Sequence, residues 1–136
     1  MERSGFMKPG NGHQEITLKE PQYSKKSNSQ KMKVCAAQIQ SIKGDIEANI
    51  FLHVGYIQEA RKHGVDLIFF PELSITGYEP YLANELQTEA DDARFDIFQK
   101  LADQHKMIIC VGMPMSSITK PLIGMLIFQP DKARVV

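Results

Sequence analysis

A chain of 136 residues, 43% of them apolar, has the size of one globular domain and enough apolar surface for a single core. Sixteen Lys and Arg balance sixteen Asp and Glu, so no overall field draws it to nucleic acid or to anionic lipid. Its two cysteines, Cys35 and Cys110, have neither the close spacing of a zinc site nor the density of a secreted disulfide scaffold, which makes a reduced, cytoplasmic setting the expectation.

Residues 1–31 are rich in Lys, Ser, Asn, Gln and Gly and carry six basic residues against three acidic ones. They cannot bury enough surface to offset the entropy of ordering, and a disordered, mildly basic extension is expected there. It contains no apolar segment of the kind a signal sequence needs, and the most apolar stretches, 107–115 and 122–128, are too short to span a bilayer, so no membrane partner is expected. The patterned domain runs over 32–136, and Met32 is an alternative natural start.

VCAAQI at 34–39 predicts a strand covered on both faces. Ile46, Ile50, Val54 and Ile57 then recur at helical spacing and predict a helix over 45–63. Asp45 is its N-cap, Arg61 to His63 form a cationic last turn, and Gly64 supplies the exit. DLIFF at 66–70 predicts a second strand, stopped by Pro71. Residues 72–90 read as a long loop without sustained period. A second helix is expected over 92–106, with Phe95, Phe98, Leu101 and Ala102 on one face. MIICVG at 107–112 and the run at 122–128 predict a third and a fourth strand. Pro130-Asp131 reads as a turn, and 134–136 as the opening of a fifth strand. Strands alternating with helices predict an α/β layered fold.

Glu72 opens the long loop at the carboxyl end of a buried strand, where α/β proteins often mount functional side chains. Position alone is weak support, since most such glutamates are solvated or capping. Cys110, inside an apolar strand, reads as a small inert core residue, and Cys35 likewise. His13, His53, His63 and His105 show no ligand spacing, so no metal is expected; His53 is assigned to the flank of the first helix, and His63 and His105 to helix ends. Signatures of serine hydrolases, phosphate-binding loops and dinucleotide folds are absent from the sequence, and no cofactor is expected.

The run DLIFFPELSITG at 66–77, followed by Tyr78, resembles the first signature of the nitrilase superfamily of carbon-nitrogen hydrolases, in which a buried strand ends in Phe-Pro-Glu and the glutamate enters the active site. The order of elements around it, from VCAAQI through the Gly64-Val65-Asp66 helix exit to the Pro-Asp turn, is similar as well, over about 32–136. The resemblance implies the N-terminal part of a four-layer α-β-β-α sandwich, incomplete in this chain. It also implies a Glu-Lys-Cys triad. In the family a cysteine thiolate attacks the carbon of an amide or nitrile, glutamate is general base, and lysine stabilises the developing oxyanion. Such a base works best in a low-dielectric pocket.

Only Glu72 carries over. The family's lysine lies shortly after the Pro-Asp turn and its cysteine further on; Lys132, within the turn, is not assigned the role. Pro121 to Gly124 stand where the family often has an Asn-Ser pair, a departure at the edge of the pocket. The resemblance thus implies a hydrolase of small linear amides, carbamoyl compounds or nitriles, with a small-molecule substrate as its partner, homo-oligomeric when complete, and a chain inactive by itself. A non-catalytic association module retaining the half-fold is the alternative.

Overall fold

The computed structural model describes residues 31–136; the expected disordered extension lies, apart from Lys31, outside the described residues. Four strands and three α-helices follow in the order β1 (Val34–Ala36), α1 (Ile46–Lys62), β2 (Leu67–Phe69), α2 (Ala83–Leu86), α3 (Asp96–His105), β3 (Ile108–Met115) and β4 (Leu122–Phe128). A 3-10 turn, Ala93–Phe95, leads into α3. The strands form one sheet in the order β1-β2-β3-β4; the first three are parallel, and β4 returns antiparallel to β3. Parallel neighbours need crossovers, and α1 and the α3 segment supply them.

Local chemistry accounts for the helix ends. The Asp45 carboxylate accepts the Ala48 amide at 3.0 Å and so caps α1. Gly64, at φ +64°, lets the chain leave through a left-handed residue. At the end of α3 that conformation falls on Lys106 (φ +52°), whose amide bonds back to the Ala102 carbonyl.

Register and alternation divide the sheet into two unlike faces. The rows Cys35–Ile68–Ile109–Phe128 and Val111–Leu126 face α1 and α3 and join Phe70, Phe95, Phe98, Leu101, Met107 and Met113 in one core. Phe98 is its centre, with ring centroids 5.5 Å from Phe128 and 6.4 Å from Phe95. The opposite face carries Val34, Phe69, Ile123 and Met125, exposed by 53%, 39%, 61% and 37%. It is apolar, and among the described residues no helix covers it.

Several boundaries differ from expectation. β1 and β2 span three residues each, shorter than their apolar runs, because ladder pairing holds only Val34–Ala36 against Leu67–Phe69. β3 runs three residues past the expected Gly112, to Met115, because β4 pairs along its whole length. The expected loop over 72–90 contains α2 and a bridge at Thr88. The expected fifth strand is present as a single antiparallel bridge, Ile127 to Val135.

Candidate functional site

Three alternate carbonyls of β3 point toward the side of β2 and organise the loop after it. Phe70 N donates to Cys110 O at 3.0 Å, Ile75 N to Gly112 O at 3.0 Å, and Thr88 N to Pro114 O at 3.0 Å. Residues 71–74 are thus expelled as a short excursion between two bonds only two residues apart on β3, and Glu72 lies within it. The Ser74 amide closes the excursion onto Pro71 O at 3.1 Å, making Glu72 and Leu73 the middle of a turn.

Gly112 explains where that turn goes. By alternation with Val111 and Met113 it faces away from the helices, and a Cβ there would stand 2.7 Å from Pro71 O, 2.8 Å from Leu73 N and 3.1 Å from Glu72 Cα. Only a glycine lets the turn lie so close on the sheet. Glu72 is therefore carried on the helix-free face, where its side chain is exposed. The enclosing low-dielectric pocket expected around a general base is not supplied by residues 31–136. A cavity of about 330 Å³ lies on the same loop, between Tyr78, Asn84, Lys120 and Ile123, and Glu72 is not among its lining residues. Pro121, Leu122 and Ile123 help to line it.

On the other side of the sheet the excursion is anchored by buried polar groups, two of which, Asn49 and Ser74, were not expected from the sequence. His53, expected on the flank of α1, is completely buried, as are Asn49 (0% exposed) and Ser74 (2%). His53 Nδ1 lies 2.6 Å from Asn49 O, and Nε2 lies 2.9 Å from Ser74 Oγ. A carbonyl only accepts, so Nδ1 carries the proton and Nε2 accepts from the Ser74 hydroxyl. Ser74 Oγ in turn accepts from Gly112 N at 3.4 Å. The Asn49 amide donates to Ile42 O at 2.7 Å and Ile75 O at 2.9 Å and accepts from Ile42 N at 2.7 Å. Burial pushes the His53 imidazole down to about 4, partly offset by the Asn49 carbonyl. The buried positions of α1 are Ile46, Asn49, His53, Ile57 and Ala60. The signal was in the sequence as two polar residues at helical spacing between Ile46 and Ile57.

The remaining candidates stand apart from Glu72's turn or are inert. Cys110 is 7% exposed, and burial raises its thiol above the ordinary range, which suits an unreactive residue. Cys35 is partly buried against the core. His63 caps α1 and His105 ends α3; burial and then the nearby Arg61 charge lower the His105 imidazole, against the cationic role expected of it. Lys132 is exposed in the turn after β4, its ammonium donating to Gln129 Oε1 at 3.3 Å. No group of three or more metal-ligating side chains occurs among the described residues, and no helix there is long and apolar enough to cross a membrane. His13 lies outside them.

The family model described as carbon-nitrogen hydrolase matches residues 33–134. An aliphatic nitrilase of Rhodococcus rhodochrous is 42% identical over 53 residues, which are 39% of this chain and 14% of that protein. Among solved structures, an amidase from Nesterenkonia sp. AN1 is similar at a TM-score of 0.62 and 20% identity, over 73% of this chain and 40% of its own. An N-terminal amidase solved with a Gln-Gly peptide is similar at 0.64 and 18%, over 77% and 26%. These structures share the fold, and the present chain spans well under half the length of each relative. In one structure of the Nesterenkonia amidase, acrylamide is attached by Michael addition at the active-site cysteine.

Proposed function

Because the chain belongs to the carbon-nitrogen hydrolase family of the nitrilase superfamily, we propose that Glu72 is the general base of a thiol-dependent hydrolysis of small linear amides, carbamoyl compounds or nitriles. In this reading the glutamate takes a proton from the attacking thiol or water and returns one to the leaving nitrogen. A cysteine forms the covalent intermediate and a lysine stabilises the oxyanion, both supplied by residues other than these 136. The observation that carries the proposal is the projection of Glu72 on a closed turn at the end of a parallel strand, made possible by Gly112. The acrylamide adduct of the Nesterenkonia amidase supports the thiol chemistry for the fold. The exposed apolar face beside Glu72 supports the view that further residues complete the pocket and exclude water from it.

The members of such a triad act as a unit, so the 136 residues by themselves are inactive in this proposal. Two experiments test it. The purified chain is assayed for ammonia release from a panel of amides and nitriles; none is expected, and cysteine-dependent turnover would overturn both the inactivity and the inert role of Cys110. The coding sequence beyond codon 136 is also read in all frames. A Tyr-x-Lys strand followed by an apolar strand with a cysteine is expected within roughly forty codons, and its absence counts against the triad.

A further inference from the structure

We propose that His53 is a positioning residue for Glu72, acting through the hydroxyl of Ser74, the residue at the far end of the 71–74 turn. This rests on the reading of Glu72 as the base, which gives the placement of the turn its consequence.

Leu73, in the middle of the turn, has φ +55°, a left-handed conformation that residues with a Cβ rarely adopt. Such strain persists only where the surroundings over-determine it. Ser74 is where that determination converges: its hydroxyl donates to His53 Nε2 and accepts from Gly112 N, and its carbonyl accepts the Ser41 hydroxyl at 2.7 Å. Helix α1, the loop before it and strand β3 thus grip one residue, two positions after Glu72.

His53 contributes something an apolar residue of the same volume does not. The Asn49 carbonyl fixes its tautomer by accepting from Nδ1, and the contact with Phe70, at a ring-centroid distance of 4.1 Å, holds the ring in place. Nε2 is then a single, directed acceptor aimed at Ser74. Phe98, at 5.9 Å, closes the other side. A leucine at position 53 fills the space and keeps the core but leaves the Ser74 hydroxyl without its acceptor, in a place that water does not reach.

The two nitrogens have distinct tasks, so two amide substitutions separate them. The longer glutamine side chain reaches the position of Nε2, whereas asparagine reaches only that of Nδ1. Hydrogen exchange of the 136-residue chain, resolved by mass spectrometry, is compared for the parent, His53→Gln, His53→Asn and Ser74→Ala. We expect the amides of 74–77 to exchange about tenfold faster in His53→Asn and Ser74→Ala, as for one lost buried hydrogen bond, with α3 and β4 unchanged and protection largely kept in His53→Gln. Equal effects of Gln and Asn, or loss of protection spread evenly over the chain, would show that His53 only fills space. In a polypeptide carrying the whole triad, His53→Asn should lower kcat about tenfold at unchanged KM, with His53→Gln restoring it; a change in KM alone contradicts the positioning role. The exchange arm does not depend on catalysis. A Glu72→Gln enzyme that keeps its turnover therefore sinks the reading of the base and leaves the exchange result intact, whereas full activity of His53→Asn beside a dead Glu72→Gln sinks only the present inference.

Discussion

Replacing Gly112 with alanine tests the geometry that presents Glu72. The added methyl would meet Pro71 O at 2.7 Å, Leu73 N at 2.8 Å and Glu72 Cα at 3.1 Å, all closer than ordinary van der Waals contact. All three are backbone atoms and cannot rotate away as the end of a side chain does. Relief requires the turn to lift, which strains the Ser74 to Pro71 closure and the Ser74 to Gly112 contact. Overpacking of this kind costs about 1–3 kcal/mol, and with backbone on both sides we expect the upper half of that range. Gly55 provides the control, because it lies in α1 with nothing within 4 Å of its would-be Cβ. Gly55→Ala should stabilise the chain by about 0.5–1 kcal/mol through helix propensity alone. Urea denaturation followed by circular dichroism measures both. With a slope of about 1.5 kcal/mol per molar, Gly112→Ala should lower the midpoint by more than about 1 M while Gly55→Ala raises it. A Gly112→Ala midpoint equal to that of the parent would show that the turn does not lie on the strand, and the account of Glu72's placement would fail with it.

Stability should also depend on pH through His53. Its imidazole is held from 6.5 down to about 4 by burial, so above pH 6.5 it is neutral whether the chain is folded or not. Between those values the unfolded chain takes up a proton that the folded chain refuses. The contribution is present at neutral pH and is lost as pH falls toward 4, by about 3 kcal/mol in all. Urea titrations at pH 7 and pH 4.5 should show most of this difference, and His53→Gln should remove it; an unchanged slope in that variant would assign the effect elsewhere. Cys110, buried and with its thiol raised, should resist iodoacetamide at pH 8 in the native chain and react in urea. Rapid native labelling at Cys110 would contradict its place in the core.

How much of this was legible in the sequence depended on whether local chemistry or tertiary pairing decided each feature. The ends of α1 were legible because Asp45 and Gly64 act within a few residues of themselves. Leu122–Phe128 was legible as a strand because a continuous apolar run bounded by polar residues admits little else. The far end of β3 was not. The expected strand stops at Gly112; it continues because Pro114, whose carbonyl meets Thr88 beyond the end of β2, has its missing amide on the side where no regular strand requires it. Glu72 was singled out through its Phe-Pro-Glu context. Its support was missed because the helical stripe was drawn through apolar residues alone. Ile50 and Val54 are only partly buried against the core, while Asn49 and His53 are completely buried. Buried polar residues look like surface residues until their partners, here Ser74 and Ile75, are brought to them from 21 and 26 residues away.

The central claim is that the Glu72 carboxylate moves the proton. Its most direct test is single-turnover kinetics of Glu72→Gln in a polypeptide that also carries the lysine and the cysteine, with acetamide as substrate. The substitution keeps the shape of the side chain and removes its basicity. The account predicts ammonia release slowed by about 10²–10⁴-fold, the usual range for a lost general base, with the turn at 71–74 still protected from exchange. Release at the parent rate, with that turn intact, would contradict it.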